Sequence, residues 1–218
     1  MSSHAAAVPL PDRRPMEGIG VYNLKFGMWV FLLSEVMFFA SLIGSYIILR
    51  FANPEAFAEP GVVLNVPLTG VNTFILICSS VTMVKAFAAI ENGDQTWLKR
   101  WLLATALLGA IFVGIQAIEY TVLAHEGFVP VAADYAALGR DGTGPMEGGP
   151  LYGATFYTMT GFHGLHVTIG VLCLLFVSMR AFQGKYTREN HGGVEIVGLY
   201  WHFVDLVWII LFTIVYLI

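Results

Sequence analysis

Charge is what this sequence has least of. Only 12% of its 218 residues are Asp, Glu, Lys or Arg, whereas soluble domains carry about a quarter. That is too little to cover a soluble surface, which excludes a soluble enzyme and a disordered chain. The formal net charge is −4, so no basic face is available for phosphates and a nucleic-acid binder is excluded as well. Cysteine is nearly as scarce. Cys78 and Cys173 both fall in apolar segments and form no CxxC or Cys/His spacing, so neither a zinc site nor a thiolate copper site can be drawn from them. They read as small core residues. An apolar h-region is missing from the N-terminus: residues 1–24 are polar and include Pro9, Pro11, Arg13, Arg14 and Pro15. No cleavable signal peptide is expected, and targeting falls to the first apolar segment.

What the sequence does have is apolar length. Hydrophobic residues make up 57% of the chain, and the mean hydropathy is +0.72. They gather in five blocks, at 26–49, 67–90, 101–123, 153–179 and 196–218. A hydrocarbon core about 30 Å thick needs about 20 such residues in a helix. No block alternates with period two, which excludes a β-barrel. The expectation is an all-α integral membrane protein, a single membrane domain of five transmembrane helices (1–218). It has a polar cytoplasmic tail over 1–24 and an outer loop over 124–152, the latter rich in Gly and Pro. The glycines of that loop do not follow a strand, so a phosphate loop is not credible.

Basic residues set the expected orientation. Arg13, Arg14 and Lys25 precede the first span. Lys85, Lys99 and Arg100 flank the second connection, and Arg180, Lys185 and Arg188 the fourth. Only Arg50 and Arg140 lie on the other side. The crowded face is cytoplasmic by the positive-inside rule, which places the N-terminus inside and the C-terminus outside. Lys85, about a turn inside its span, can snorkel to that surface.

Within the spans, a charged group costs roughly 2.5–3.5 kcal/mol on insertion scales, so those present need protein or water around them. There are seven candidates. Glu35 lies in the first span. Gln116 and Glu119 lie one turn apart in the third, His163 and His166 at i, i+3 in the fourth, and His202 and Asp205 at the same spacing in the fifth. At 1.5 Å per residue, Glu35, His166, His202 and Asp205 fall within roughly 6 Å of the midplane. Two readings stand: a proton relay or metal site, or interhelical hydrogen bonds that fix the packing. A haem between two histidines is poorly served, because only His202 could oppose the His163/His166 pair. No Lys or Arg lies at the depth of Glu35. Its expected partners are therefore His163, His166, His202, the hydroxyls of Thr160 or Tyr46, or a lipid headgroup.

Local strings add a family resemblance. Thr160-Gly161-Phe162-His163-Gly164-Leu165-His166-Val167 resembles a signature of the cytochrome c oxidase subunit III family in its five-helix form. So do His191-Gly192-Gly193-Val194-Glu195 and Tyr200-Trp201-His202-Phe203-Val204-Asp205, with Val207-Trp208 following. Ser34-Glu35-Val36-Met37-Phe38-Phe39 is similar to the family's glutamate-bearing helix. Asn72-Thr73, Ser79-Ser80-Val81-Thr82 and Gln116-Ala117-Ile118-Glu119-Tyr120 match the remaining two spans. The resemblance runs over residues 20–218.

It implies an accessory core subunit of a haem–copper terminal oxidase in aerobic respiration, in a bacterial-type plasma membrane. Haem and copper would reside in partner subunits I and II, with no cofactor, metal or catalytic residue in this chain. Phospholipid would be held between its helices, and the subunit would stabilise subunit I and support proton uptake and sustained turnover. Further respiratory complexes are open as partners; nucleic acid is not. The chain differs from seven-helix relatives in lacking their two extra N-terminal helices. Quinol oxidase subunits and a nitric oxide reductase-associated protein belong to the same family and remain alternatives. A reading from another class is a stand-alone transporter or proton conductor using Glu35 and Asp205, although broken helices and inverted repeats are not evident.

Overall fold

The structure is a computed structural model, and it describes residues 23–59, 61–128 and 150–218. Most of the polar tail (with His4, Arg13 and Arg14) and most of the expected outer loop (with Arg140) lie outside the described residues.

Five helices among the described residues are long and apolar enough to cross a membrane. They are α1 (Asn23–Ala52), α2 (Val66–Glu91), α3 (Gln95–His125), α4 (Pro150–Phe182) and α5 (Gly192–Phe212). A 3₁₀ turn at Pro54–Ala56 follows α1, and one π-helical turn, Thr213–Leu217, prolongs α5.

α2 and α3 start ahead of their apolar blocks because capping side chains, which hydropathy does not register, set those starts. α3 starts six residues before its block. The Asp94 carboxylate accepts hydrogen bonds from the Thr96 and Trp97 amides, satisfying donors that the first helical turn leaves open. Asn65 does the same for α2 by accepting from the Leu68 amide. Between α2 and α3 the chain reverses in three residues, Asn92-Gly93-Asp94. This turn requires φ +77° at Gly93, a left-handed conformation that glycine adopts without steric cost.

Helices α2, α3, α4 and α5 form a closed ring in which each touches the next and α5 returns to α2. α1 leans on the outside of this ring against α4 and α5. Its only buried residues are Phe39 and Tyr46, so most of its surface faces outward. Trp201 of α5 crosses the middle of the ring and is 1% exposed. Its indole fits because the facing positions on α3 and α4 are glycines. A Cβ at Gly109 or at Gly170 would lie within 3 Å of the indole ring. Small residues at a helix contact let backbones approach closely; here they also make room for one large side chain.

Candidate functional site

The seven polar residues do not gather at one point. The structure distributes them over three groups of contacts that together involve four helix pairs, plus one histidine enclosed in the core.

The first contact joins α1 to the ring. His166 Nε2 lies 3.1 Å from Glu35 Oε2. The other ring nitrogen, Nδ1, lies 2.7 Å from the Phe162 carbonyl oxygen. A carbonyl only accepts, so Nδ1 carries the hydrogen. A hydrogen bond on the Nε2 side then needs one further proton, on the imidazole or on the carboxyl. Either arrangement leaves the pair with no net charge, which limits the cost of its depth in the membrane. Phe39 stands edge-on to the imidazole at 5.1 Å, and Phe38 lies at 6.4 Å.

The second contact joins α5 to α2. His202 Nδ1 is 2.6 Å from Ser80 Oγ, and the Asp205 carboxyl interacts with the same hydroxyl. Asp205 is buried, and its Oδ1 has no hydrogen-bond partner among the described residues. A small cavity of about 200 Å³ runs from His202 towards Glu195, walled by Met83, Phe87 and Gly198. Glu195 forms an ion pair with Lys25 of α1.

The third contact ties the other end of the bundle. Glu119 Oε1 accepts from Thr69 Oγ1 of α2 at 2.8 Å and from Tyr216 Oη at 3.4 Å. Gln116, one turn earlier on α3, turns instead to α4, where its Nε2 donates to the Thr160 carbonyl at 3.2 Å. Tyr120 donates to the Thr160 hydroxyl at 2.7 Å.

His163 stands apart from His166 despite the i, i+3 spacing. It is fully buried between Phe112 of α3 and Trp208 of α5, with ring centroids 5.9 and 4.7 Å away. Its Nε2 reaches the Val204 carbonyl at 3.2 Å, and its Nδ1 is unpartnered among the described residues. The i, i+3 spacing of His163 and His166 therefore does not bring the two imidazoles to one partner. His166 turns to α1, His163 to the core and His202 to α2. The shared level of Glu35, His166, His202 and Asp205 likewise resolves into two separate contacts. Among the described residues, no three His, Cys, Asp or Glu side chains converge as metal ligands would. Cys78 and Cys173 are both free and half-buried. His191 sits at the start of α5, edge-on to Phe87 at 5.6 Å; it is less solvated than its place outside the spans suggests.

Sequence reasoning missed the hydroxyls. Thr69, Thr73, Ser79, Ser80 and Thr82 recur on α2 at helical spacing. Trp208 Nε1 donates to Thr73 at 2.9 Å, Trp201 Nε1 donates to Ser79 at 3.0 Å, and Thr82 meets Thr105 of α3 at 2.8 Å. The signal was that spacing, but isolated Ser and Thr bond to their own helix so often that it does not stand out. One groove also matters. Between the start of α1, the end of α4 and the start of α5 lies an apolar cavity of about 440 Å³, walled by Leu24, Leu172 and Phe176, with Arg180 at its polar end.

These features define a multi-pass helical membrane protein in which polar side chains serve contacts between helices. Comparison with known proteins assigns it further. The family model for cytochrome c oxidase subunit III matches residues 19–127 and 147–218, and the chain belongs to that family. It is 42% identical over 193 residues to cytochrome c oxidase subunit 3 of Synechocystis sp., covering 88% of this chain and 74% of the relative. The subunit 3 of Thermostichus vulcanus is 37% identical over 192 residues (88% and 85%). A probable subunit 3 of Mycobacterium tuberculosis is 38% identical over 196 residues (89% and 88%). With five helices able to span a bilayer and these bacterial relatives, this is a multi-pass protein of a bacterial plasma membrane.

Proposed function

We propose that the chain is the accessory subunit III of a haem–copper cytochrome c oxidase, assembled beside subunits I and II, which carry the haem and copper. The family match over nearly the whole chain carries this reading. The outward face of α1 supports it, since Val30, Leu33, Met37 and Ile48 are all exposed there and available to lipid or a neighbouring subunit. The polar contacts of the spans are positioning elements in this account: Glu35–His166 holds α1 on the ring, His202–Ser80 holds α5 on α2, and Glu119–Thr69 holds α3 on α2. Phospholipid between α1 and the ring fits the apolar groove that ends at Arg180. The subunit's contribution is to keep subunit I supplied with protons and intact over many turnovers.

The orientation proposed with this is N-terminus inside and C-terminus outside. The α2–α3 turn and the α4–α5 connection then share the cytoplasmic surface. A reporter after Ile218 should read as external, and one between 180 and 195 as cytoplasmic.

The test is purification of the intact complex through a tag on this chain, followed by a reduced-minus-oxidised spectrum. Haem bands and oxidation of reduced cytochrome c by the purified material are expected. A haem-free protein travelling alone would favour a stand-alone transporter, and oxidation of quinol only would favour the quinol oxidase branch.

A further inference from the structure

On the outer side of the α2–α3 hairpin, four side chains form a row. Arg100 Cζ lies 5.1 Å from the Trp97 ring centre, Trp97 stacks on Trp101 at 5.6 Å with 22° between planes, and Lys85 Nζ lies 4.7 Å over Trp101. Lys85 and Trp101 are each six residues from the turn-facing end of their helix, about 9 Å along the axis, so they share one level. Lys85, Trp97 and Arg100 are exposed, and Trp101 is half-buried.

No described residue satisfies this row. Neither Lys85 nor Arg100 has an ion-pair partner among the described residues. On the same hairpin, the Asp94 carboxylate already accepts from the two amides of the α3 cap. Glu91 ends α2 at the turn, six residues beyond Lys85, and forms no ion pair among the described residues. Lys99 of α3 lies 5.8 Å over Phe182 at the end of α4, and the α4–α5 connection carries Lys185, Arg188 and Glu189. The indole N–H groups tell the same story. Those of Trp201 and Trp208 donate to Ser79 and Thr73, whereas those of Trp97 and Trp101 donate to no described residue. Lys25 over Trp29 offers a contrast, because that lysine is paired with Glu195.

Tryptophan concentrates at the membrane–water boundary, and a cation held there over indole faces attracts the anionic groups of lipid heads. We infer that the Lys85–Trp101–Trp97–Arg100 row binds the phosphate of an anionic phospholipid at the membrane surface where the α2–α3 turn lies. The cations neutralise the headgroup, and the indole N–H groups donate to its phosphate or ester oxygens. This site lies on a different helix pair from the Arg180 groove. It rests on the membrane-spanning arrangement alone, so its failure would leave the oxidase reading untouched.

The test uses the full chain in lipid vesicles and reads quenching of tryptophan fluorescence by brominated lipids. Trp29→Phe leaves only Trp97 and Trp101 facing lipid, since Trp201 and Trp208 are buried. Quenching by dibromo-phosphatidylglycerol should then exceed quenching by dibromo-phosphatidylcholine, with a relative binding constant of roughly five to thirty, the effect of one or two surface cations. Lys85→Gln/Arg100→Gln should reduce it to about one. Lys185→Gln/Arg188→Gln removes the same charge from the same membrane side and should leave it unchanged. The conservative pair Lys85→Arg/Arg100→Lys should also keep the preference, which separates loss of the site from loss of fold. A constant near one in the parent, an unchanged constant in the Gln pair, or an equal loss in the Lys185/Arg188 control would overturn the proposal.

Discussion

Glu35 and His166 form a polar pair between α1 and α4 whose contact has an exacting requirement. Their side chains are 17% and 14% exposed, and the 3.1 Å contact needs a proton between them. Glu35→Gln keeps a donor for His166 Nε2 and nearly the same volume. Glu35→Ala leaves that nitrogen unpaired and opens space beside Phe39. An unsatisfied buried group costs about 1–3 kcal/mol, so the Ala variant should lose about that much stability in detergent unfolding, with the Gln variant close to wild type. In the double variant Glu35→Ala/His166→Ala the losses should be less than additive, as expected for groups in contact. Equal losses for Gln and Ala would mean that the pair contributes only volume. The partnership was half legible in the sequence. Depth and the absence of any matching Lys or Arg narrowed the partners of Glu35 to a few histidines and hydroxyls, but choosing His166 requires knowing that α1 leans on α4. That choice also sends His163, three residues earlier, into the core between Phe112 and Trp208.

At the scale of the helices, apolar length located all five elements, and capping residues set where α2 and α3 begin. Asp94 explains why α3 begins before the charged Lys99 and Arg100, which hydropathy alone would exclude. What the sequence concealed was the packing. Gly109 and Gly170 look like ordinary glycines of membrane helices, yet each faces the indole of Trp201. Gly27, on the outward side of α1, has no neighbour within 4 Å of its would-be Cβ. Gly109→Ala should therefore destabilise the bundle by about 1–3 kcal/mol through overpacking. Gly27→Ala should be neutral or gain up to about 1 kcal/mol from helix propensity. Thermal unfolding of the two variants side by side checks this, and similar behaviour of both would remove Trp201 as the pin of the ring. The hydroxyl-bearing face of α2 was visible as letters but not as function, because only the fold shows that Thr73, Ser79 and Ser80 meet Trp208, Trp201 and His202.

For the whole molecule, four helices close a ring and α1 leans on its outside; in the proposed role the exposed apolar face of α1 is what meets lipid or a neighbouring subunit. Glu35, His166, His202 and Glu119 each meet a side chain of another helix, and no chain of hydrogen bonds among the described residues links these contacts from one surface to the other. The family assignment places it with subunit III of cytochrome c oxidase, and the proposed role makes it dispensable for electron transfer but needed for endurance. The most direct measurement is oxygen uptake by the purified oxidase core from a strain lacking this chain, followed over many turnovers with haem content monitored. The account predicts an initial rate close to that of the complete enzyme, then progressive inactivation that re-addition of the chain slows. Immediate and complete loss of oxygen reduction in an otherwise assembled core with intact haems would contradict it.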